Sequence, residues 1–135
     1  TMPFRLQKTA KDWFKHLSHK DVLSIDFDVY YLCLMVGLAG SRKSEISVSD
    51  TNELVDYFPG AYKSRGRIIT ALFLSRELKA LGILFTERNA LHKAISDLVD
   101  PQSPSNLSDL GFKEINKYRD WLSLLIIQSL QHCRH

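Results

Sequence analysis

Residues 60–81, GAYKSRGRIITALFLSRELKAL, constrain this chain more than any other stretch. The segment opens as a loop holding Tyr62, Lys63, Arg65 and Arg67 around Gly66, and then turns into a long apolar run. Ile68, Ile69, Leu72, Phe73, Leu78 and Leu81 recur at helical spacing, so a helix starting at about Lys63 or Arg65 and stopping at Gly82 is expected, with those residues on its buried face. Exposed backbone amides at a helix start, with cations beside them, form a place that attracts anions. One segment can therefore anchor a core and present a phosphate-reading face. It is not a P-loop, because the GxxxxGK[ST] spacing is missing and no strand obviously precedes it. Tyr62 is read as an aromatic available to stack on a base or sugar. The plainer alternative is a solvated loop whose arginines pair with Asp50, Glu53 or Asp56.

The charge pattern extends this reading. Residues 1–20 carry Arg5, Lys8, Lys11, Lys15 and Lys20 against Asp12, and residues 60–80 carry Lys63, Arg65, Arg67, Arg76 and Lys79 against Glu77. Between them, residues 21–59 are acidic, with seven carboxylates against Arg42 and Lys43. Two basic blocks around an acidic one can give a bipolar surface, although the charges can equally pair within the fold. Lys8, Lys11 and Lys15 recur at about one-turn spacing, so they share a helix face and form a second candidate phosphate-contacting patch.

The remaining punctuation suggests helices. Residues 3–7 are extended in character, a short strand or arm. Thr9 can cap a helix whose buried face is Trp13, Phe14 and Leu17. Asp26 begins a second helix, apolar nearly all round through Leu38 and stopping at Gly40. Gly37 within it marks a place where another helix can approach closely. Ile46 and Val48 alternate with serines and permit a brief strand. Asp50 with Glu53 reads as a capping-box variant for a short helix through Tyr57, ended by Phe58-Pro59-Gly60. Thr86 caps a further helix bearing Leu91, Ile95, Leu98 and Val99. Residues 100–109, DPQSPSNLSD, read as a mobile, exposed loop. A long last helix then runs from about residues 109–112 to 132, with Phe112, Ile115, Tyr118, Trp121 or Leu122, Leu125, Ile126 and Ser129 on its repeat. The expectation is one all-α domain over residues 1–135, a compact bundle of five or six helices with room for a short N-terminal strand.

Other chemistry is thinly represented. No stretch approaches about 18 uninterrupted apolar residues, so no membrane span is expected. Two cysteines in 135 residues do not make a disulfide scaffold and suit a reducing, cytoplasmic setting. His16 with His19, and the terminal His132, Cys133 and His135, lack converging companions for zinc, so no metal or cofactor is expected. No GxSxG, HExxH or GxGxxG pattern occurs, and Cys33 sits in apolar surroundings that quiet a thiol, so no catalytic residues and no small-molecule substrate are assigned. The apolar excess of residues 27–38 and 121–130 implies self-association or a partner subunit.

Two segments, FRLQKTAKDWFKHL (residues 4–17) and DVYYLCLMVGLA (residues 28–39), resemble the start of the DndE family of DNA phosphorothioation proteins. The resemblance covers a short arm, a lysine-bearing helix and an apolar helix containing Leu32-Cys33. It implies a homo-oligomeric, lysine-dependent DNA binder of a bacterial modification or defence system, with Lys8, Lys11 and Lys15 as phosphate contacts. The reading is thus a non-catalytic DNA-binding subunit acting through Lys8, Lys11, Lys15, Tyr62, Lys63, Arg65 and Arg67. The alternative is a scaffold subunit that docks partners through its apolar helices without touching nucleic acid.

Overall fold

A computed structural model describes residues 3–8 and 26–133. The helix expected from Thr9 through Leu17, with Lys11 and Lys15, lies outside the described residues, as do His16 and His19. In chain order the elements are β1 (Arg5–Gln7), α1 (Asp26–Gly40), a 3-10 turn (Val48–Asp50), β2 (Thr51–Glu53), a second 3-10 turn (Gly60–Tyr62), α2 (Gly66–Ala80), α3 (Arg88–Leu98) and α4 (Asp109–Cys133). This corrects the expected bundle of five or six helices: the described residues form four α-helices and a two-stranded antiparallel sheet. The chain divides into two compact units, one built on Val55–Ile115 and the other on Phe4–Leu54 with Asn116–His135.

In the second of these, the sheet replaces the short helix expected after Asp50. Thr51–Glu53 pairs with Arg5–Gln7 in the register Arg5↔Glu53, Leu6↔Asn52 and Gln7↔Thr51. The ladder is extended by Lys8 N–H to Asp50 O (3.1 Å) and Leu54 N–H to Phe4 O (2.8 Å). Arg5 and Glu53, directly opposite, form an ion pair at 3.0 Å. A capping-box pattern is a local preference, and pairing with a strand far away in sequence overrides it. The stretch around Ile46 forms no strand, and Val48 opens a 3-10 turn instead.

The sheet carries Phe4 and Leu6 into the core beside α1. Phe4, Phe27 and Tyr30 form a closed aromatic triangle with centroids 5.2–5.3 Å apart. Along α1, Phe27, Tyr30, Cys33, Leu34, Gly37 and Leu38 follow the helical repeat and are buried. The close approach expected at Gly37 is present: a Cβ there would collide with the backbone carbonyl of Tyr118 on α4. Gly40 does not supply the left-handed stop. The next residue, Ser41, has φ 52°, and Arg42 N–H reaches back to Gly37 O at 2.8 Å, the pattern of a Schellman closure.

The part of α4 in this unit buries polar groups that periodicity does not reveal. Asn116, Arg119, Asp120 and Ser123 are all buried. Tyr30 donates to Asn116 Oδ1 at 2.7 Å, and the Arg5 N–H donates to the same oxygen at 3.3 Å. Arg119 pairs with Asp120, which also accepts the Ile46 N–H at 3.0 Å. The Arg119 guanidinium lies 5.9 Å from the Tyr30 ring centroid, a cation–π contact.

The unit built on Val55–Ile115 is organised by α2. Tyr62, Gly66, Ile69, Phe73 and Glu77 make its buried stripe. Two residues expected on that stripe are not on it: Ile68 is 71% exposed and Leu81 is 60% exposed. Ile68 falls off the face because the face is set by the i, i+3, i+7 row from Gly66 rather than by apolarity alone, and Leu81 lies just past the last residue of α2. Helix α3 is preceded by Glu87 rather than capped by Thr86, and Glu87 Oε1 accepts the Leu84 N–H at 3.4 Å.

The expected mobile loop before α4 is a built structure. Ser103, Ser105 and Leu107 are buried while Gln102, Pro104 and Asn106 face out. Asp100 N–H bonds to Asn106 O (2.9 Å), Asn106 N–H to Ser103 O (3.0 Å) and Ser108 N–H to Leu98 O (3.0 Å). Ser108 Oγ then accepts the Gly111 N–H at 3.0 Å and caps α4.

Candidate nucleic-acid interface

The site is assembled within the Val55–Ile115 unit from three pieces of chain. Residues 57–60 approach α2, residues 63–67 form the turn into it and its first helical turn, and residues 104–106 belong to the loop before α4. Together Tyr57, Phe58, Gly60, Lys63, Gly66, Arg67, Pro104, Ser105 and Asn106 line an open groove of about 500 Å³.

Local sequence explains this shape. Pro59 and Gly60 turn the chain, with Gly60 in the left-handed region at φ 43°. The 3-10 turn follows, held by Tyr62 N–H to Pro59 O at 2.8 Å. Gly66 is then the first residue of α2, and its missing side chain makes room for Phe58: a Cβ would lie 2.6 Å from the Phe58 ring. Phe58 thus packs directly against the backbone of the helix start.

The helix start is uncapped. Arg65, the residue preceding α2, is in a helical conformation and makes no side-chain capping bond. The N–H groups of the first turn have no acceptor within a helix, and the positive end of the helix dipole lies there. Lys63 and Arg67, four residues apart, stand on the same face, and both are exposed. Arg65 is exposed too, its guanidinium 6.0 Å from the Tyr62 ring centroid. Among the described residues, none of these three cations is in an ion pair. Glu53, one of the carboxylates that could have neutralised them, is paired with Arg5.

The residues expected from sequence to contact nucleic acid are therefore distributed as follows. Lys63 and Arg67 line one groove, and Arg65 sits at the same helix start. Tyr62 is buried, at 7% exposure, so its ring is not offered to a base. The exposed aromatic on the groove is Tyr57, at 47%. Lys8 is exposed in the turn after β1, in the other unit. Lys11 and Lys15 lie outside the described residues. Sequence reading missed Tyr57, Phe58 and Asn106. The available signals were an aromatic pair ahead of Pro-Gly and an asparagine in a Pro/Ser loop, and Asn106 does adopt a left-handed conformation at φ 63°.

Among the described residues, no group of three or more His, Cys, Asp or Glu is placed to hold a metal ion, and no helix is long and apolar enough to cross a membrane. Burial pushes the Cys33 thiol up to about 11, with a Ser123 hydrogen bond opposing the shift. Comparison with protein-family models, with curated proteins and with solved structures finds no match to this chain.

Proposed function

We propose that this protein is a non-catalytic DNA-binding subunit that grips the phosphate backbone through Lys63, Arg65 and Arg67, with Lys8, Lys11 and Lys15 as further phosphate contacts. The observation that carries the reading is the groove at the start of α2. Lys63 and Arg67, both exposed and in no ion pair among the described residues, line it at a helix start that has no side-chain cap, an arrangement suited to a phosphate oxygen. Cations already neutralised by neighbouring carboxylates would release few counterions on binding and contribute little. The choice of DNA, and of a bacterial modification or defence system as the setting, rests on the resemblance of residues 4–39 to the DndE family. The proposed subunit is oligomeric. Leu81, Leu84 and Phe85, all at least 60% exposed, supply apolar surface for a contact.

Gel retardation with duplex and single-stranded DNA across a salt series tests this. Retardation at low ionic strength that weakens steeply with salt supports it, and no retardation of either DNA at low salt ends it. The same exposed apolar residues favour a second reading, a scaffold subunit that docks a protein partner. A chain that ignores nucleic acid and is monomeric by light scattering, yet is stabilised by a co-expressed neighbour, fits that reading instead.

A further inference from the structure

Resting on the nucleic-acid reading above, we propose that the α2 groove takes one unpaired nucleotide of single-stranded DNA, with its base in the groove and its phosphate on Lys63 and Arg67. The groove has about the volume of a small-ligand site, and a mononucleotide is of that size. Phosphate alone needs no such cavity, since cations on a convex helix end can contact a backbone.

The lining matches the three parts of a nucleotide. Lys63 and Arg67, in no ion pair among the described residues, meet the phosphate. Tyr57, a half-exposed aromatic on the groove lining, is available for base stacking, which works for any base. Asn106 presents a carboxamide, both donor and acceptor, for a base edge. The Asn106 side chain makes no hydrogen bond among the described residues, while its backbone is fixed at both ends, N–H to Ser103 O and carbonyl to Asp100 N–H. A free recognition group on a rigid support is what edge reading requires. Bases in a duplex are stacked and paired inside the helix, so this groove reaches only a base that is already out of the stack.

Fluorescence anisotropy at one fixed salt concentration tests the proposal. The probes are a 12-residue oligothymidylate, a duplex of equal length and free thymidine monophosphate. The variants are Tyr57→Ala and Lys63→Gln/Arg67→Gln, each first checked for an unchanged thermal transition; all three side chains are exposed, so folding is expected to survive. The expected result is that Tyr57→Ala weakens the single strand roughly 5- to 100-fold, the range of one lost stacking contact, and leaves duplex affinity unchanged. Lys63→Gln/Arg67→Gln weakens both. Equal wild-type affinity for strand and duplex, with no effect of Tyr57→Ala, overturns the single-nucleotide proposal and leaves backbone binding intact. Monophosphate binding as tight as the oligomer overturns the assignment to a DNA strand in favour of a free nucleotide. Binding to neither DNA overturns the nucleic-acid reading itself.

Discussion

Replacing Gly37 with alanine puts two opposed effects in direct competition. In an unobstructed helix interior the change stabilises by about 1 kcal/mol, because glycine loses more backbone freedom on folding than alanine. Here the new methyl would collide with the Tyr118 carbonyl, and the second-nearest atom is the Tyr118 carbonyl carbon at 2.7 Å. The obstructing atoms are backbone, so no rotamer change relieves the overlap, and α1 and α4 must separate locally. Opening a packed contact by roughly 0.5–1 Å forfeits a quarter to a half of its dispersion energy, and overpacking of this kind typically costs about 1–3 kcal/mol. The propensity gain enters with opposite sign, so a net destabilisation of up to about 2 kcal/mol is expected, growing if the Tyr30–Asn116 hydrogen bond two turns away is disturbed. Urea unfolding followed by far-UV circular dichroism reads the difference as a lower midpoint at unchanged slope. A Gly37→Ala protein that is more stable than the parent by about 1 kcal/mol would show that nothing blocks the site and that α1 and α4 do not meet there.

Further outcomes follow from the same physical picture. Asp120→Ala leaves the buried Arg119 guanidinium without its counter-charge and is expected to cost about 3–5 kcal/mol in urea unfolding, whereas replacing both residues by Met and Leu should recover much of that loss. Burial, partly offset by Arg119, raises the Asp120 carboxyl above its ordinary value. The folded state therefore holds this proton where the unfolded state has lost it, so this group's contribution to stability falls as pH rises from the unfolded to the folded value. Comparing Asp120→Asn with the parent over mildly acidic pH isolates that slope, and an unchanged slope would contradict the assignment. Ser41→Gly relieves a side chain held at positive φ and should stabilise by about 1 kcal/mol, read as a higher urea midpoint. In a Cys133→Ser background, Cys33 should resist thiol reagents at pH 8 until the protein unfolds, since burial both covers it and keeps it protonated.

The long, strongly periodic segments were legible in the sequence. The ranges of α1, α2 and α4 follow from apolar spacing with glycine, serine and proline punctuation, and the importance of Gly37 follows from its place in an otherwise apolar helix. What was not legible depends on distant pairing. Thr51–Glu53 carries a helix-start pattern and becomes a strand only because Arg5–Gln7 lies beside it. The buried Asn116, Arg119 and Asp120 look like surface residues by composition and are held inside by Tyr30, Ile46 and one another. At the groove, the basic run announced itself, but Tyr62 and Tyr57 exchanged roles. Tyr62 sits four residues before Gly66 and falls on the buried stripe of α2, while Tyr57 precedes the turn and stays outside. Asn106 belongs to the groove because backbone hydrogen bonds across residues 98–108 fold the loop onto itself, and no residue-by-residue preference encodes that.

The measurement that bears most directly on phosphate gripping at the start of α2 is the salt dependence of DNA affinity for the parent protein and for Lys63→Gln/Arg67→Gln. If both side chains neutralise phosphates, the slope of log Kobs against log salt becomes shallower in the double variant by about 1.4 on a single strand and about 1.8 on a duplex. An unchanged slope, with affinity the same at every salt concentration, would mean that neither cation touches the backbone, and would contradict the proposed role of the groove.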